Sequence, residues 1–320
     1  MFDSDLSLRE VLGLTGNAAR EAWLALRGDP SLPPSKFGTS STRLFTPRLA
    51  FATWRGRRHL GRQVPIVNLF NRTPTPIEQG WSVRVTQVRD FRGKGLTYDS
   101  HNGTDFAVPP GTRVVAAAPG VVVATRSEYN RGGLKLYLDH GDGLMTSSNH
   151  LARALVGVGE RVARGQPVAL SGYSGIDALA SFGAVAPHLH FNVYLGGVQV
   201  DPFAAPGETS LWQGENNQPH PARRCDADVL ATSFDAAAVD ALLQALHDRE
   251  RRAVLGAIED PWCRAWQLVI EANTYPTRFA AHEPARSLFR MATRVPRLTL
   301  PFSTGDFDGV AFADDVGLRA

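Results

Sequence analysis

The alternating run HLHFNVY, residues 188–194, constrains the fold of this 320-residue chain more than any other stretch. Successive side chains of a β-strand point to opposite faces of the sheet. One face of this strand would therefore be bulky and apolar, and the other would carry His188, His190 and Asn192. Taken alone, two histidines on one strand face fit a solvated surface as well as they fit a metal site.

Composition places the chain among ordinary globular proteins. Apolar residues make up 43% of it and charged residues 20%, and the net charge of +3 is too small to argue for a nucleic-acid partner. No stretch approaches the ~18 consecutive apolar residues that span a bilayer. The opening residues, MFDSDLSLREVLGL, lack the basic and then apolar pattern of a secretory signal. The sequence therefore predicts no transmembrane segment and leaves the localisation unknown.

Three parts of different texture follow one another, with predicted bounds 1–79, 80–205 and 206–320. In the middle part, short β-branched runs alternate with Gly, Pro, Asn and Asp, which is typical of an antiparallel β domain. Its strands are predicted at 81–88, 113–118, 121–125, 134–139, 166–170 and 190–194. The predicted fold class is α+β: an antiparallel, sheet-rich domain with an open groove, flanked by an N-terminal segment and C-terminal helices.

The N-terminal flank begins with a helix signal. Ser7 and Glu10 form a capping-box pattern, and the helix that it starts is predicted to reach Leu26. A Pro/Ser/Gly-rich stretch at 28–42 indicates a linker. The Arg-rich segment at 44–75 could bind an anionic partner, but a solvated basic face is the favoured prediction.

The C-terminal flank is predicted to be mostly helical. One helix is predicted at 233–258, with its first residue as N-cap, and another at 262–273. Their apolar side chains are too numerous for a solvated appendage, so both helices should pack on the β domain. The tail from residue 296 is predicted to be irregular. Cys225 and Cys263 show no metal or redox spacing and are predicted to be buried thiols, although a disulfide between them stays open.

Candidate metal ligands occur in the β part. His101 and Asp105 form a His-x3-Asp motif, and His188 and His190 form His-x-His. Imidazoles and a carboxylate suit zinc. Three protein ligands would leave a fourth position for water, as in catalytic rather than structural zinc sites. A further imidazole, His150, lies in the same part of the chain.

The order of these motifs resembles the lysostaphin/LytM-type zinc metalloendopeptidases, a family that cuts peptide bonds of bacterial peptidoglycan. The family pattern is His-x3-Asp, then a loop histidine followed by Leu, then His-x-His. All three occur here in that order. The stretches HNGTDFAVPPGTRVVAAAPGVVV, VGVGERVARGQPVALSGYSG and PHLHFNV resemble the family's surrounding text, and the likeness covers about residues 85–203.

The resemblance implies a role for each site residue. His101, Asp105 and His190 match the ligands of one catalytic zinc ion, and no other cofactor is implied. His150 and His188 match two catalytic histidines that do not bind the metal, and sequence does not divide the acid–base work between them. The implied substrate is a peptide of peptidoglycan, stem or cross-link, and the implied place of action is the cell wall or periplasm.

Departures from the family pattern keep a second hypothesis open. Ser148 stands where the family commonly has Tyr, and the segment between Gly172 and His188 is longer than usual. The chain could be a latent or degenerate member that acts as a cell-wall binding or regulatory module. Retention of all five site residues favours the enzyme. His140 is predicted to be structural, while the scissile bond, the export route and the oligomeric state stay open.

Overall fold

The computed structural model describes residues 5–14, 16–29, 31–73, 75–176, 181, 183–214, 217–225, 228–229, 231–280, 288–289 and 292–319. Its α-helices are α1 Leu8–Leu12, α2 Ala18–Arg27, α3 Pro47–Trp54, α4 Ala236–Ala245, α5 Arg249–Gly256 and α6 Pro261–Thr274. Single 3-10 segments lie at Thr39–Leu44, Ile77–Gln79 and Pro276–Arg278. The strands are β1 Gln63–Asn68, β2 Thr104–Ala107, β3 Arg113–Val115, β4 Gly120–Glu128, β5 Gly133–Asp139, β6 Leu144–Ala154, β7 Arg161–Val162, β8 Pro167–Ser171, β9 His188–Leu195, β10 Val198–Val200, β11 Pro221–Ala222, β12 Leu300–Ser303 and β13 Gly309–Phe312.

One large sheet organises the described residues. Its strand order is β13-β1-β2-β9-β6-β5-β4-β7, with β10 paired to β9 and with β8 paired to both β3 and β6. The β1–β13 pair is parallel, and the other pairs described in this sheet are antiparallel. The predicted antiparallel, sheet-rich fold class is confirmed. The sheet also takes β1 and β13 from outside the predicted middle part, 80–205.

Strand β9 has the two faces that its alternation predicts. Leu189, Phe191 and Val193 are at most 1% exposed and belong to the main hydrophobic core. Within that core the Phe191 ring stacks on the indole of Trp212 with centroids 5.9 Å apart. Since burial of aromatic and aliphatic side chains is a main source of fold stability, the apolar face fixes which way the histidine face points.

A second core lies between the sheet and the C-terminal helices. Trp266 and Val269 of α6 pack there with Tyr137 and Met145, which come from β5 and β6. The indole N–H of Trp266 also donates to Asp139 Oδ2 at 3.0 Å. The prediction that the C-terminal helices pack on the β domain is confirmed. None of the helices in the described ranges is long and apolar enough to cross a membrane.

Two helices that were predicted to be continuous are interrupted in the structure. The helix predicted to run to Leu26 stops after Leu12, because Gly13 takes a left-handed conformation with φ 65° and caps α1. The capping box of Ser7 and Glu10 at its start is confirmed. The helix predicted at 233–258 is divided into α4 and α5, each with its own aspartate N-cap, and Asp235 rather than Ser233 caps α4.

Three further local predictions were wrong. Residues 81–88 form no strand, and Val85 interrupts them with φ 51°, in the left-handed region that disfavours extended pairing. The tail from residue 296 contains β12 and β13, whose partners are distant in sequence and leave no local signal. No disulfide joins the two cysteines, and against the prediction of burial Cys225 is exposed and Cys263 is half-buried.

Candidate metal centre

Four adjacent strands align four polar residues in one row across the sheet. Asn68 on β1 pairs with Asp105 on β2, and Asp105 pairs with His190 on β9. His190 in turn pairs with Asn149 on β6. Directly opposed residues of paired strands project on the same face, so register alone brings these side chains together.

The three predicted ligand residues converge on one point. One ligand atom from each of His101, Asp105 and His190 lies within 4.8 Å of the other two. The closest approaches are 2.7 Å from His190 Nδ1 to Asp105 Oδ1 and 3.1 Å from His101 Nε2 to Asp105 Oδ2. The two imidazole nitrogens are 3.3 Å apart. All three residues are at most 6% exposed, so bulk water does not separate them.

Outer hydrogen bonds decide which ring nitrogens face this point. His101 Nδ1 donates to the Leu69 carbonyl at 2.6 Å, which leaves the lone pair of the neutral ring on Nε2. His190 Nε2 lies 3.2 Å from Asn102 Oδ1 and donates to it, which leaves the lone pair on Nδ1. Two lone pairs and a carboxylate then face one another without a proton donor. A divalent cation satisfies such a set, and two imidazoles with one carboxylate suit zinc.

Gly103, between the first two of these residues, has a steric reason to be glycine. A Cβ at this position would lie 2.7 Å from His190 Nε2 and 2.7 Å from the Phe191 carbonyl oxygen. Both distances are shorter than van der Waals contact allows, and the carbonyl belongs to backbone that cannot move aside. The HNGTD sequence therefore brings the β2 entry loop against β9 more closely than another residue would permit.

Burial and neighbouring charge set the electrostatics of the centre. Burial alone would raise the pKa of Asp105, but the positive charge that His101, His188 and His190 carry when protonated outweighs it and holds that pKa well below its usual range. Burial lowers the pKa of His190 despite the adjacent Asp105 carboxylate. Asp105 is therefore ionised and His190 neutral near pH 7, which are the protonation states that metal ligation requires.

The other two predicted histidines lie beside this centre. Their ring centroids are 4.9 Å apart, and His188 Nε2 is 3.8 Å from Asp105 Oδ1. His150 Nδ1 donates to the Ser174 carbonyl at 2.7 Å, and His188 Nδ1 donates to the Ala186 carbonyl at 2.8 Å. The proton on Nδ1 makes Nε2 the acceptor atom of each ring whenever that ring is neutral. Burial, with help from the neighbouring histidines, lowers the pKa of His150 to about 3, so this ring is neutral at physiological pH.

The family pattern puts His150 in a loop, whereas the structure places it within β6. Its φ of 58° is left-handed, which is uncommon for a residue with a Cβ. The pairing register of β6 with β8 shifts in the following residues, between Leu151 and Arg153. The strand is thus bent at the position that delivers His150 to the centre. Backbone strain of this kind clusters at functional sites.

Sequence reasoning missed the residues that support Asp105 from behind. Asn68 Nδ2 donates to Asp105 Oδ2 at 2.7 Å, and Arg319 Nη1 donates to Asn68 Oδ1 at 2.6 Å. Asn68 ends the apolar run QVPIVN, and a single polar residue at the end of such a strand was the available signal. Nothing local marks Arg319, which reaches the row from a segment outside the resemblance.

His140 lies apart from the candidate centre. Its Nδ1 donates to the Pro119 carbonyl at 3.0 Å, and its Nε2 contacts Thr146 Oγ1 at 2.9 Å. Burial lowers the pKa of His140 to about 4. Part of the long segment between Gly172 and His188 lies outside the described residues, namely 177–180 and 182.

Comparison with known proteins places this geometry in a family. Residues 99–202 match the family model described as "Peptidase family M23". The five site residues lie within that match, and this stretch of the chain is a domain of peptidase family M23. The resemblance read from the motifs is confirmed.

Among curated proteins, the chain is 40% identical over 105 residues to "Peptidoglycan DD-endopeptidase ShyA" of Vibrio cholerae, which covers 33% of this chain and 23% of that protein. It is 38% identical over 114 residues to "Murein hydrolase activator EnvC" of Escherichia coli, covering 35% of this chain and 23% of that protein. The chain thus spans about a quarter of the length of these relatives. Among solved structures, the lysostaphin catalytic domain from Staphylococcus simulans is 31% identical, with a TM-score of 0.29, over 32% of this chain and 77% of that one.

Proposed function

We propose that this protein is a zinc-dependent endopeptidase that hydrolyses peptide bonds of bacterial peptidoglycan. The observation that carries the proposal is the buried convergence of two imidazole lone pairs and a carboxylate, from His101, His190 and Asp105, beside two more histidines. Similarity to proteins such as the peptidoglycan DD-endopeptidase of Vibrio cholerae supports the substrate class.

In this proposal His101, Asp105 and His190 hold the zinc ion. A zinc ion bound there would lower the pKa of a coordinated water and polarise the substrate carbonyl. Leu69, Asn68 and the side chain of Asn102 fix the orientation of the three ligands through their hydrogen bonds. Such outer partners commonly account for about 10–100-fold in metal affinity or activity.

His150 and His188 carry the proton in this mechanism. A carbonyl oxygen fixes Nδ1–H of each ring, so each Nε2 is the basic atom. One of these neighbouring Nε2 atoms takes the proton of the attacking water and then delivers that same proton to the leaving amine, so the proton is conserved through the step. Burial of both rings keeps bulk water from competing for that proton.

The proposal is tested on purified protein loaded with one equivalent of zinc. Peptidoglycan sacculi of several cross-link types are digested, and the released muropeptides are identified by mass spectrometry. New amino and carboxyl termini at one peptide bond are expected, with loss of activity on chelation and recovery on adding zinc back. A zinc-loaded protein that releases nothing from any sacculus contradicts the proposal.

A second candidate is a regulatory module that activates another hydrolase. The similarity to the E. coli protein named "Murein hydrolase activator" favours it. The two candidates differ in metal content and in autonomous activity. Stoichiometric zinc together with hydrolysis by the protein alone supports the enzyme. Metal-free protein that stimulates a separate hydrolase supports the module.

A further inference from the structure

A cavity lies beside the candidate metal centre, and its lining is rich in side-chain amides. His150 and His190 border it, and the amide residues around it include Asn102, Asn149 and Asn192. Its charged side chains are those of Lys135 and Arg131, and no Asp or Glu occurs among its described lining residues. Lys135 is ion-paired with Glu128 at 2.5 Å, so its charge is already balanced, and the described lining residues offer no carboxylate to an ammonium group.

The amides form a hydrogen-bonded chain with one direction. Gln199 Nε2 donates to Tyr194 OH, and Asn102 Nδ2 donates to Gln199 Oε1. Asn192 Nδ2 donates to the backbone carbonyl of Asn102 at 2.8 Å, and Asn149 Nδ2 donates to Asn192 Oδ1 at 2.8 Å. The bond from Asn192 Nδ2 to the Asn102 carbonyl fixes the orientation of the Asn192 amide, because a backbone carbonyl can only accept a hydrogen bond.

This direction leaves the last member of the chain with an unused acceptor. Asn192 must present Oδ1 to Asn149, so Asn149 must present Nδ2 to Asn192 and direct Oδ1 elsewhere. Asn149 Oδ1 is buried and has no hydrogen-bond partner among the described residues. The residue itself is 8% exposed, lines the cavity and is the cross-strand partner of His190.

We infer that Asn149 Oδ1 accepts a backbone amide N–H of the bound peptide substrate, which makes Asn149 a positioning residue for the peptide next to the reacting bond. Buried polar atoms of folded proteins nearly always have a partner, so an unpartnered acceptor on a residue that lines a cavity indicates a ligand donor. A neutral amide N–H is the donor that such an acceptor can bind without burying a further charge. The inference rests on the proposed peptidase function.

The experiment uses the zinc-loaded full chain and a set of cross-linked peptide dimers from peptidoglycan. In each dimer one backbone amide near the scissile bond is N-methylated, so that one N–H is removed at a time. With the wild type, methylation at one position is expected to lower kcat/KM about tenfold, the usual range for one neutral hydrogen bond. With Asn149→Ala, the unmethylated dimer already shows that loss, and methylation at the same position adds less than about twofold.

A matched control separates the free acceptor from the network that orients it. Ser147 Oγ donates to the same Asn192 Oδ1 at 3.2 Å and does not line the cavity. Ser147→Ala should therefore keep the full penalty for N-methylation. If Asn149→Ala unfolds, Asn149→Leu replaces it, because leucine keeps the side-chain volume without the acceptor.

The possible failures are distinguishable. Suppose that the wild type cleaves the dimers, but that N-methylation lowers kcat/KM by the same factor in Asn149→Ala as in the wild type at every position. The inference is then wrong and the proposed function stands. If the wild type cleaves none of them, the proposed function is wrong for this substrate, and the inference is decided by calorimetric Kd values for the same dimers. If N-methylation at none of the positions changes the Kd of the wild type, the inference about Asn149 is wrong.

Discussion

The stretch at 99–202, which matches the family model and is called the family stretch below, and the residues that flank it contribute different groups to the candidate metal centre. The family stretch supplies the atoms suited to chemistry: His101, Asp105 and His190, with His150 and His188 beside them. The flanks supply supports from the end of β1, the residue after it and the C-terminal tail, which are the Asn68 amide, the Leu69 carbonyl and the Arg319 guanidinium. The difference indicates that reactive groups can be read from motifs, whereas the residues that orient them can come from anywhere in the chain.

The largest expected effect separates ligand from proton carrier within the family stretch. His190→Ala removes one of three proposed ligands, so it should lose most bound zinc and activity with it. His188→Ala and His150→Ala should keep near-stoichiometric zinc while kcat falls by about 10²–10⁴-fold, the usual contribution of a positioned acid–base group. Elemental analysis and peptidoglycan hydrolysis are measured on each variant, with the exposed His59→Ala as control. Loss of zinc in His188→Ala equal to that in His190→Ala would contradict this division of roles.

The next effect tests whether the flanks belong to the same folding unit. Phe302 of β12 is fully buried, and its ring packs edge-on against Phe106 of β2 at 5.5 Å between centroids. Phe302→Ala should lower the free energy of unfolding by about 3–5 kcal/mol, as expected for a core aromatic. Denaturant unfolding measures it, and Phe51→Ala, at a side chain 59% exposed, should change little. If Phe302→Ala leaves the free energy of unfolding unchanged, the C-terminal flank is not part of the same folding unit.

His140 allows a comparison between a structural and a reactive histidine in the family stretch. Burial lowers its pKa to about 4, so the folded state resists the protonation that the unfolded state accepts near pH 6.5. The stabilisation is complete above pH 6.5 and is lost as the pH falls toward 4, by about 3 kcal/mol.

The measurement is the pH dependence of unfolding for wild type and His140→Asn. The difference between the two curves should have its slope between pH 4 and 6.5, because other buried histidines contribute equally to both. Parallel curves through this range would show that His140 is not held neutral by the fold.

The smallest expected effect concerns the hydrogen bond from Asn68, in the N-terminal flank, to Asp105 in the family stretch. Asn68→Ala removes the hydrogen bond to Asp105 and should weaken zinc binding by about 10–100-fold, as for outer partners of metal ligands in general. Arg319→Ala acts one bond further away and should weaken zinc binding less. Competition with a zinc chelator gives both affinities, and Asn17→Ala, at an exposed amide, is the control. If zinc affinity is unchanged in Asn68→Ala, the hydrogen bond from β1 to Asp105 does not contribute to metal binding.

Local rules predicted what local sequence determines. Strand β9 and its two faces followed from strict alternation, and the start of α1 followed from the Ser7–Glu10 pair. The five site residues were named from motif order, and the structure brings them together. Helix ends were less certain, because Gly13 stops α1 within a continuing apolar pattern.

Long-range pairing was not predictable in the same way. Strand β13 pairs with β1, and neither segment carries a mark that names its partner. The support of Asp105 by Asn68 and then Arg319 depends on that pairing, so it was missed with it. The orphan acceptor of Asn149 also needs three dimensions, since it follows from the direction of hydrogen bonds along several strands.

The pairing of β1 with β13 has a consequence for how the chain folds. Arg62 and Asp308, at one end of this pair, are 246 residues apart in sequence and joined by a hydrogen bond. During synthesis β1 emerges well before β13, so this edge of β1 stays uncovered until β13 is made, and an uncovered edge is a template for aggregation. Contacts of such separation also slow folding, because a large loop must close before they form. The strand that supports Asp105 is therefore synthesised long before β13 and completed only after it.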